Sequence, residues 1–226
     1  MPASRTRTAL ISANLILLAL LAAAATTAWL QHTARDRTPD PHPIDIGFAQ
    51  SMSVHHQQAI GMANLMLDGR PTRLGTLARG IAAEQLLELG EMRGWLRLWQ
   101  APLVSGVRQD MNWMLLGKAA PNEVLLQYLL DCERSPTGMA GLATNAELEQ
   151  LRQLDGPARD ALFVKLMLAH HQGGLPMARF AADEAVHPAV RELATRVVLE
   201  QSKELIVLMR LQQTLAVEAP ALQAAP

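Results

Sequence analysis

One passage of this chain occurs twice. FAQSMSVHHQQAIGMANLM spans Phe48–Met66, and FVKLMLAHHQGGLPMARFA spans Phe163–Ala181. Phe, Met, His, His, Gln, Met and Ala recur in the same order, each 115 residues after its counterpart, from Phe48/Phe163 to Ala63/Ala178. Asp45 and Asp160 keep the same offset. A repeat that preserves residue type and spacing demands two copies of one supersecondary unit. In each copy the apolar positions step by three and four residues, the signature of one stripe on a helix. Phe48, Met52, His55, Ala59, Met62 and Met66 form that stripe in the first copy.

Each repeated helix is followed by a break and a second helix. Asp68–Arg73 carries Gly and Pro and ends the first helix. A partner helix is predicted from about Leu74 to Trp99. In the second copy, Gly156-Pro157 opens a helix over about 158–185, Val186-His187-Pro188 turns, and a partner follows over about 189–216. The partners repeat as well: EQLLE (Glu84–Glu88) aligns with EQSKE (Glu200–Glu204) at an offset of 116. Two helical hairpins joined by a long crossover predict an all-α fold, a four-helix bundle. The crossover should hold short helices at NEVLLQYLLDCERS and TNAELEQLRQL, the latter capped by Thr144 or Asn145.

The N-terminus adds a different element. Arg5 and Arg7 precede an apolar run from Ala9 to Leu30, the outline of an export signal or a membrane-spanning anchor. Thr26-Thr27-Ala28 offers a cleavage site. The domain reading is therefore a signal peptide or transmembrane anchor (1–30), a proline-bearing linker (31–44), the bundle (45–216) and a disordered tail (217–226). Within the bundle lie hairpin 45–100, crossover 101–157 and hairpin 158–216. Localisation follows: exported, on the periplasmic or extracellular side, with residues 9–30 able to tether the chain to the inner membrane.

Composition closes off other classes. The formal net charge is −1 and no long basic run occurs, so nucleic acid is not an expected partner. There is a single cysteine, which excludes intramolecular disulfides and thiolate metal clusters. Any metal would have to be held by His, Met, Asp, Glu or Gln.

That set is what the repeated faces offer. Met52, His55, His56 and Met62 share one side of the first helix with Asp45; Met167, His170, His171 and Met177 do so with Asp160. Gln85, Glu88 and Met92 line the partner of the first, Gln201, Glu204 and Leu208 that of the second. Imidazole suits copper, zinc, nickel and iron, whereas thioether selects soft ions such as cuprous copper. Glu88 and Glu204 could be ligands or could orient imidazoles. Each residue also has a plain structural reading: a helix histidine is commonly hydrogen-bonded architecture, and a methionine stripe is commonly core. Adjacent histidines point about 100° apart, so both members of a pair cannot face one spot. His32 and His42 are read as solvated linker residues. Glu184-x-x-His187 resembles half of a di-iron motif but occurs once, at a turn.

The stretch Met139–Ala178 resembles the domain-of-unknown-function family numbered 305. Its pattern is matched here by Asp160, Phe163, Met167, His170, His171, Met177, Ala178, Gln201, Glu204 and Met209. The first hairpin matches through Asp45, Phe48, Met52, His55, His56, Met62, Ala63, Gln85, Glu88 and Met92. The resemblance covers roughly residues 43–213. It implies a ferritin-like bundle, exported or membrane-anchored, and for some members copper binding and copper resistance in the periplasm. Two departures stand out: Met139-Ala-Gly-Leu142 has one thioether fewer than the family's crossover motif, and Pro176 is expected to kink its helix.

The expectation is thus a metal-binding protein that sequesters or delivers copper, Cu+ rather than Cu2+. Its sites would be Met52, His55, His56, Met62, Glu88, Met167, His170, His171, Met177 and Glu204. Its partners would be the metal ion, a copper-transport protein and the membrane through the N-terminal segment, with oligomer formation left open. No nucleophile–base pair suggests an enzyme. Two alternatives are a membrane-tethered helical interaction module without metal and a ferritin-like carboxylate/histidine metalloenzyme.

Overall fold

The structure is a computed structural model that describes residues 3–35, 40–106 and 111–223, with side chains over 14–30, 40–106 and 111–215. Among these residues there are seven α-helices, one short 3-10 helix and no strand, so the fold is all-α. Helix α1 (Ala3–Arg35) belongs to a compact unit of its own, residues 1–39. Among the described residues no helix is long and apolar enough to cross a membrane. The expected membrane-spanning segment is therefore not found there. Within the run Ala9–Leu30, the side chains of residues 9–13 lie outside the description.

The second unit, residues 40–226, holds the repeat. Helices α2 (Pro43–Leu65) and α3 (Gly75–Leu98) form one hairpin, α6 (Gly156–Glu184) and α7 (Pro188–Gln223) the other. Helix α2 packs on α3, α6 on α7, and the hairpins join through α2 and α6. Between them run a 3-10 turn (Asn112–Leu116), α4 (Glu123–Arg134) and α5 (Asn145–Gln153). Local chemistry sets the starts. Asn122 caps α4 by accepting from the Leu125 N–H, and Thr144 with Glu147 closes a capping box on α5. His42, expected to be solvated, instead caps α2: its Nδ1 accepts from the Ile44 N–H while Asp45 accepts from the His42 N–H. His32 lies outside the described side chains.

Helix α6 runs unbroken through Pro176. Helix α7 continues to Gln223, past the end expected near Ala216 and into the segment expected as a disordered tail. Residues 224–226 lie outside the description.

The core is divided by a polar layer. One apolar cluster gathers Phe48, Met52, Met92, Met177 and Val197; the other gathers Met62, Met167, Phe163, Ile81 and Leu208. Along α2 and α6 the histidine pairs fall between the two clusters, since the helices run antiparallel. The 3-10 turn closes one end: Trp113 packs edge-on against Phe48 and Phe180 at 6.2 and 5.6 Å between centroids and donates to Ser51 Oγ.

Candidate metal centre

His55 and His170 meet across the α2–α6 contact. Their rings lie 3.6 Å apart between centroids. The Nε2 of His55 bonds the His170 carbonyl at 3.0 Å, and the Nε2 of His170 bonds the His55 carbonyl at 2.9 Å. A carbonyl only accepts, so each Nε2 carries the proton and each Nδ1 is a bare lone pair. Both side chains are fully buried. Burial, with the neighbouring histidines second, holds both pKa values well below the ordinary 6.5.

The second members of the pairs turn toward the partner helices. His56 Nε2 bonds Glu88 Oε2 at 2.7 Å, and His171 Nε2 bonds Glu204 Oε2 at 2.5 Å. Burial lowers His56 to about 3 and raises Glu88 to about 7. Each is pushed toward its neutral form because a low-dielectric layer penalises charge on either partner. With Glu88 ionised, its carboxylate accepts from the His56 Nε2–H, and the Nδ1 is again a free lone pair.

Partners are missing on the inner side. The Nδ1 atoms of His55, His56, His170 and His171, and both amide atoms of Gln85 and of Gln201, are buried without a hydrogen-bond partner in the protein. Gly174 makes room for this arrangement. A Cβ there would stand 2.5 Å from His55 Cε1 and 3.1 Å from Gln201 Oε1. The neighbouring Gly173 serves the crossover instead, where a Cβ would meet the Ala140 carbonyl oxygen at 2.1 Å.

The structure thus distributes the sequence-derived candidates differently from a one-hairpin, one-site picture. His56 with Glu88, and His171 with Glu204, do pair within a hairpin. His55 and His170 pair between hairpins. Met52 joins Met177 and Met92 in one cluster, while Met62 joins Met167 in the other, so each hairpin's methionines separate and meet those of its counterpart. Asp45 and Asp160 lie at the helix starts, away from the histidines. Among the described residues no three His, Cys, Asp or Glu side chains form a preformed metal cage. A surface cleft of about 360 Å³ between α4 and α6, lined by Leu125, Tyr128, Pro176, Arg179 and Phe180 among others, contains none of the four histidines. Sequence reasoning did not single out Arg159. It is fully buried, ion-paired with Asp68 at 2.8 Å and bonded to the Leu65 carbonyl at the end of α2.

Paired hairpins around a histidine–carboxylate layer define an all-helical protein built by internal duplication. The chain belongs to the family described as Domain of unknown function (DUF305), whose pattern matches residues 45–212. It is similar to a DUF305 protein from Streptomyces coelicolor assigned as secreted, with 33% identity and a TM-score of 0.64 over 76% of this chain and 94% of that one. A DUF305 fragment from Deinococcus radiodurans is 25% identical with a TM-score of 0.60, covering 78% of this chain and 99% of the other. CopM, solved in a Cu(I)-bound form, shares the fold at 24% identity and a TM-score of 0.53, over 75% of this chain and 96% of that one. No protein of curated function matches the chain.

Proposed function

We propose that this protein binds a soft metal cation, cuprous copper, at the histidine layer, for sequestration or for delivery to a transport partner. The observation that carries the reading is the hydrogen-bonding state of the four histidines. Each has its Nε2 on a backbone carbonyl or a carboxylate, and each has its Nδ1 buried and unpartnered. That is the arrangement of a metal-ligating imidazole, whose second nitrogen is held by an outer acceptor that fixes tautomer and ring orientation. In this reading Glu88 and Glu204 orient His56 and His171 rather than bind the ion themselves.

Energetics support an external partner. An unsatisfied buried polar atom costs about 1–3 kcal/mol. Donor type supports softness: Met52, Met62, Met167 and Met177 belong to the clusters on either side of the layer, and thioether with imidazole favours Cu+. A Cu+ ion tolerates two or three ligands and does not require a cage of three carboxylates or histidines. CopM carries Cu(I) in the same fold, and at that identity the likeness speaks to fold alone. We read the paired hairpins as a ferritin-like bundle, exported, with the run Ala9–Leu30 acting as an export signal behind Arg5 and Arg7.

Anaerobic titration with Cu+ against a competing chelator tests this, beside a variant with His55, His56, His170 and His171 all changed to Ala. Tight binding lost in the variant, with Cu+-dependent thermal stabilisation of the wild type alone, is the expected result. Equal weak binding by both proteins would leave the histidines as architecture, the layer of a metal-free interaction module.

A further inference from the structure

The cleft between α4 and α6 contains none of the four layer histidines, yet its wall is held in place. Met114, Leu125, Tyr128, Pro176 and Phe180 give it an apolar lining. Its volume of about 360 Å³ lies at the small end of the range for ligand pockets, about 300–1,000 Å³. Tyr128 donates its hydroxyl to the Gly173 carbonyl at 2.9 Å. Phe180 packs edge-on against Trp113, and Gly117 lies so close to its ring that a Cβ there would stand 3.2 Å away. The Lys118 N–H donates to Glu184 Oε2 at 3.0 Å and ties the loop before α4 to the end of α6. A wall fixed in this way lowers the ordering cost of binding.

Helix α6 presents polar groups to this cleft in a fixed order. Gln172, Pro176, Arg179, Phe180 and Asp183 step by three and four residues, so they share one helix face. Proline has no N–H, so the Gln172 carbonyl lacks the donor that an α-helix supplies four residues on. Helix carbonyls point toward the C-terminus, so this acceptor opens toward the Pro176 ring that lines the cleft. Tyr128 serves the next carbonyl, that of Gly173, and leaves the Gln172 oxygen to another donor. Arg179 lines the cleft three residues beyond Pro176, about 4.5 Å along the axis and on the scale of one extended residue. Its guanidinium makes no hydrogen bond or ion pair among the described residues. Asp183 and Glu184 close the far end with negative charge.

We propose that this cleft binds an apolar amino-acid residue with a free carboxylate, as a hydrophobic α-amino acid or as the C-terminal residue of a peptide. Its N–H donates to the Gln172 carbonyl, its carboxylate pairs with Arg179, and its side chain lies against Leu125, Tyr128 and Phe180. A guanidinium matches a carboxylate with two parallel N–H bonds, which gives the pair both strength and direction. Asp183 and Glu184 repel a carboxylate from the far end, so the ligand's negative group is favoured at Arg179 alone. The site goes beyond the metal-binding reading and does not depend on it.

Isothermal titration of the full-length protein with N-acetyl-L-phenylalanine tests this. Two relatives of that probe run beside it: 3-phenylpropionate, which lacks the N–H, and N-acetyl-L-phenylalaninamide, which lacks the carboxylate. The complete probe is expected to bind about tenfold or more tightly than either. R179Q should bring acid and amide to equal affinity. Ala119→Trp, at an exposed position lining the cleft, should abolish binding of all three, and it decides the matter alone should R179Q not fold. Free L-phenylalanine separates the two sources: tighter binding than the acetylated probe assigns the site to a free amino acid, weaker binding to a peptide end. Equal affinity for all three probes overturns the proposal, as does an acid–amide preference that survives in R179Q. Binding retained in A119W places the ligand elsewhere and overturns it too, and so does the absence of binding at millimolar concentration.

Discussion

Gly174 shows how much of this layer depends on a side chain that is not there. The His55 ring that meets His170 lies beside the α-carbon of residue 174, and a methyl group there would stand 2.5 Å from His55 Cε1. Gly174→Ala is expected to destabilise the protein by about 1–3 kcal/mol through overpacking, seen as a lower urea midpoint, and to weaken Cu+ binding. Gly61 on α2 provides the contrast: a Cβ there meets nothing within 4 Å. Gly61→Ala should raise stability by about 0.5–1 kcal/mol, the helix-propensity gain alone. A neutral Gly174→Ala in the same urea series would mean that the His55 ring can move aside.

At the scale of the helices, the repeat explains how two hairpins find each other. Asp45 at the start of α2 accepts from the Val186 and His187 N–H groups at 2.9 and 3.0 Å, pinning the α6–α7 turn. Asp160 at the start of α6 does the mirror task, accepting from the Thr72 hydroxyl at 2.6 Å and the Arg73 N–H at 3.2 Å in the α2–α3 turn. Each aspartate thus belongs to one hairpin and closes the other. Asp45→Ala should cost about 2–4 kcal/mol, since it strands three N–H donors, those of Val186, His187 and His42, one of them buried, and loses charge-assisted bonds. Chemical denaturation would read that loss, and a change below about 0.5 kcal/mol, the range of neutral surface substitutions, would contradict the clamp. The helices, their order and the histidine stripe were legible in the sequence because periodicity and repetition encode faces directly. The task of the aspartates was not legible for a definable reason: they share an azimuth with His56 and His171, yet eleven residues along a helix is about 17 Å. Likewise the stripe shows which side of α2 holds Met52 and Met62 but not which methionine of α6 each will meet. That pairing follows from the antiparallel crossing, a tertiary fact. Arg159 left no signal either, since one arginine in a helix start reads as a surface charge until Asp68 and the end of α2 close over it.

For the molecule as a whole, the buried layer ties stability to pH. His55, His56 and His170 stay neutral in the fold, while in the unfolded chain they protonate near 6.5. Below that value the unfolded state binds more protons, so stability falls as pH falls, by about 1.4 kcal/mol per pH unit for each histidine. Glu88 works in the opposite sense. Raised from 4.5 to about 7, it keeps its proton in the fold over a range where the unfolded chain has lost it, so acidification from pH 7 to 4.5 favours the folded state at this one group. One histidine is offset and two remain, leaving a net loss of about 3 kcal/mol per pH unit between roughly pH 6 and 4.5. Above pH 7 neither set changes its proton count between the two states, and stability levels off. Urea midpoints at pH 7.5, 6.5, 5.5 and 5.0 should therefore be level between the first two and drop steeply through the last two. His56→Gln removes one titrating imidazole from both states and should flatten the drop by about 1.4 kcal/mol per unit. Midpoints that hold steady down to pH 5 in the wild type would mean that the histidines take up protons inside the fold, and the layer would then be open to water rather than sealed.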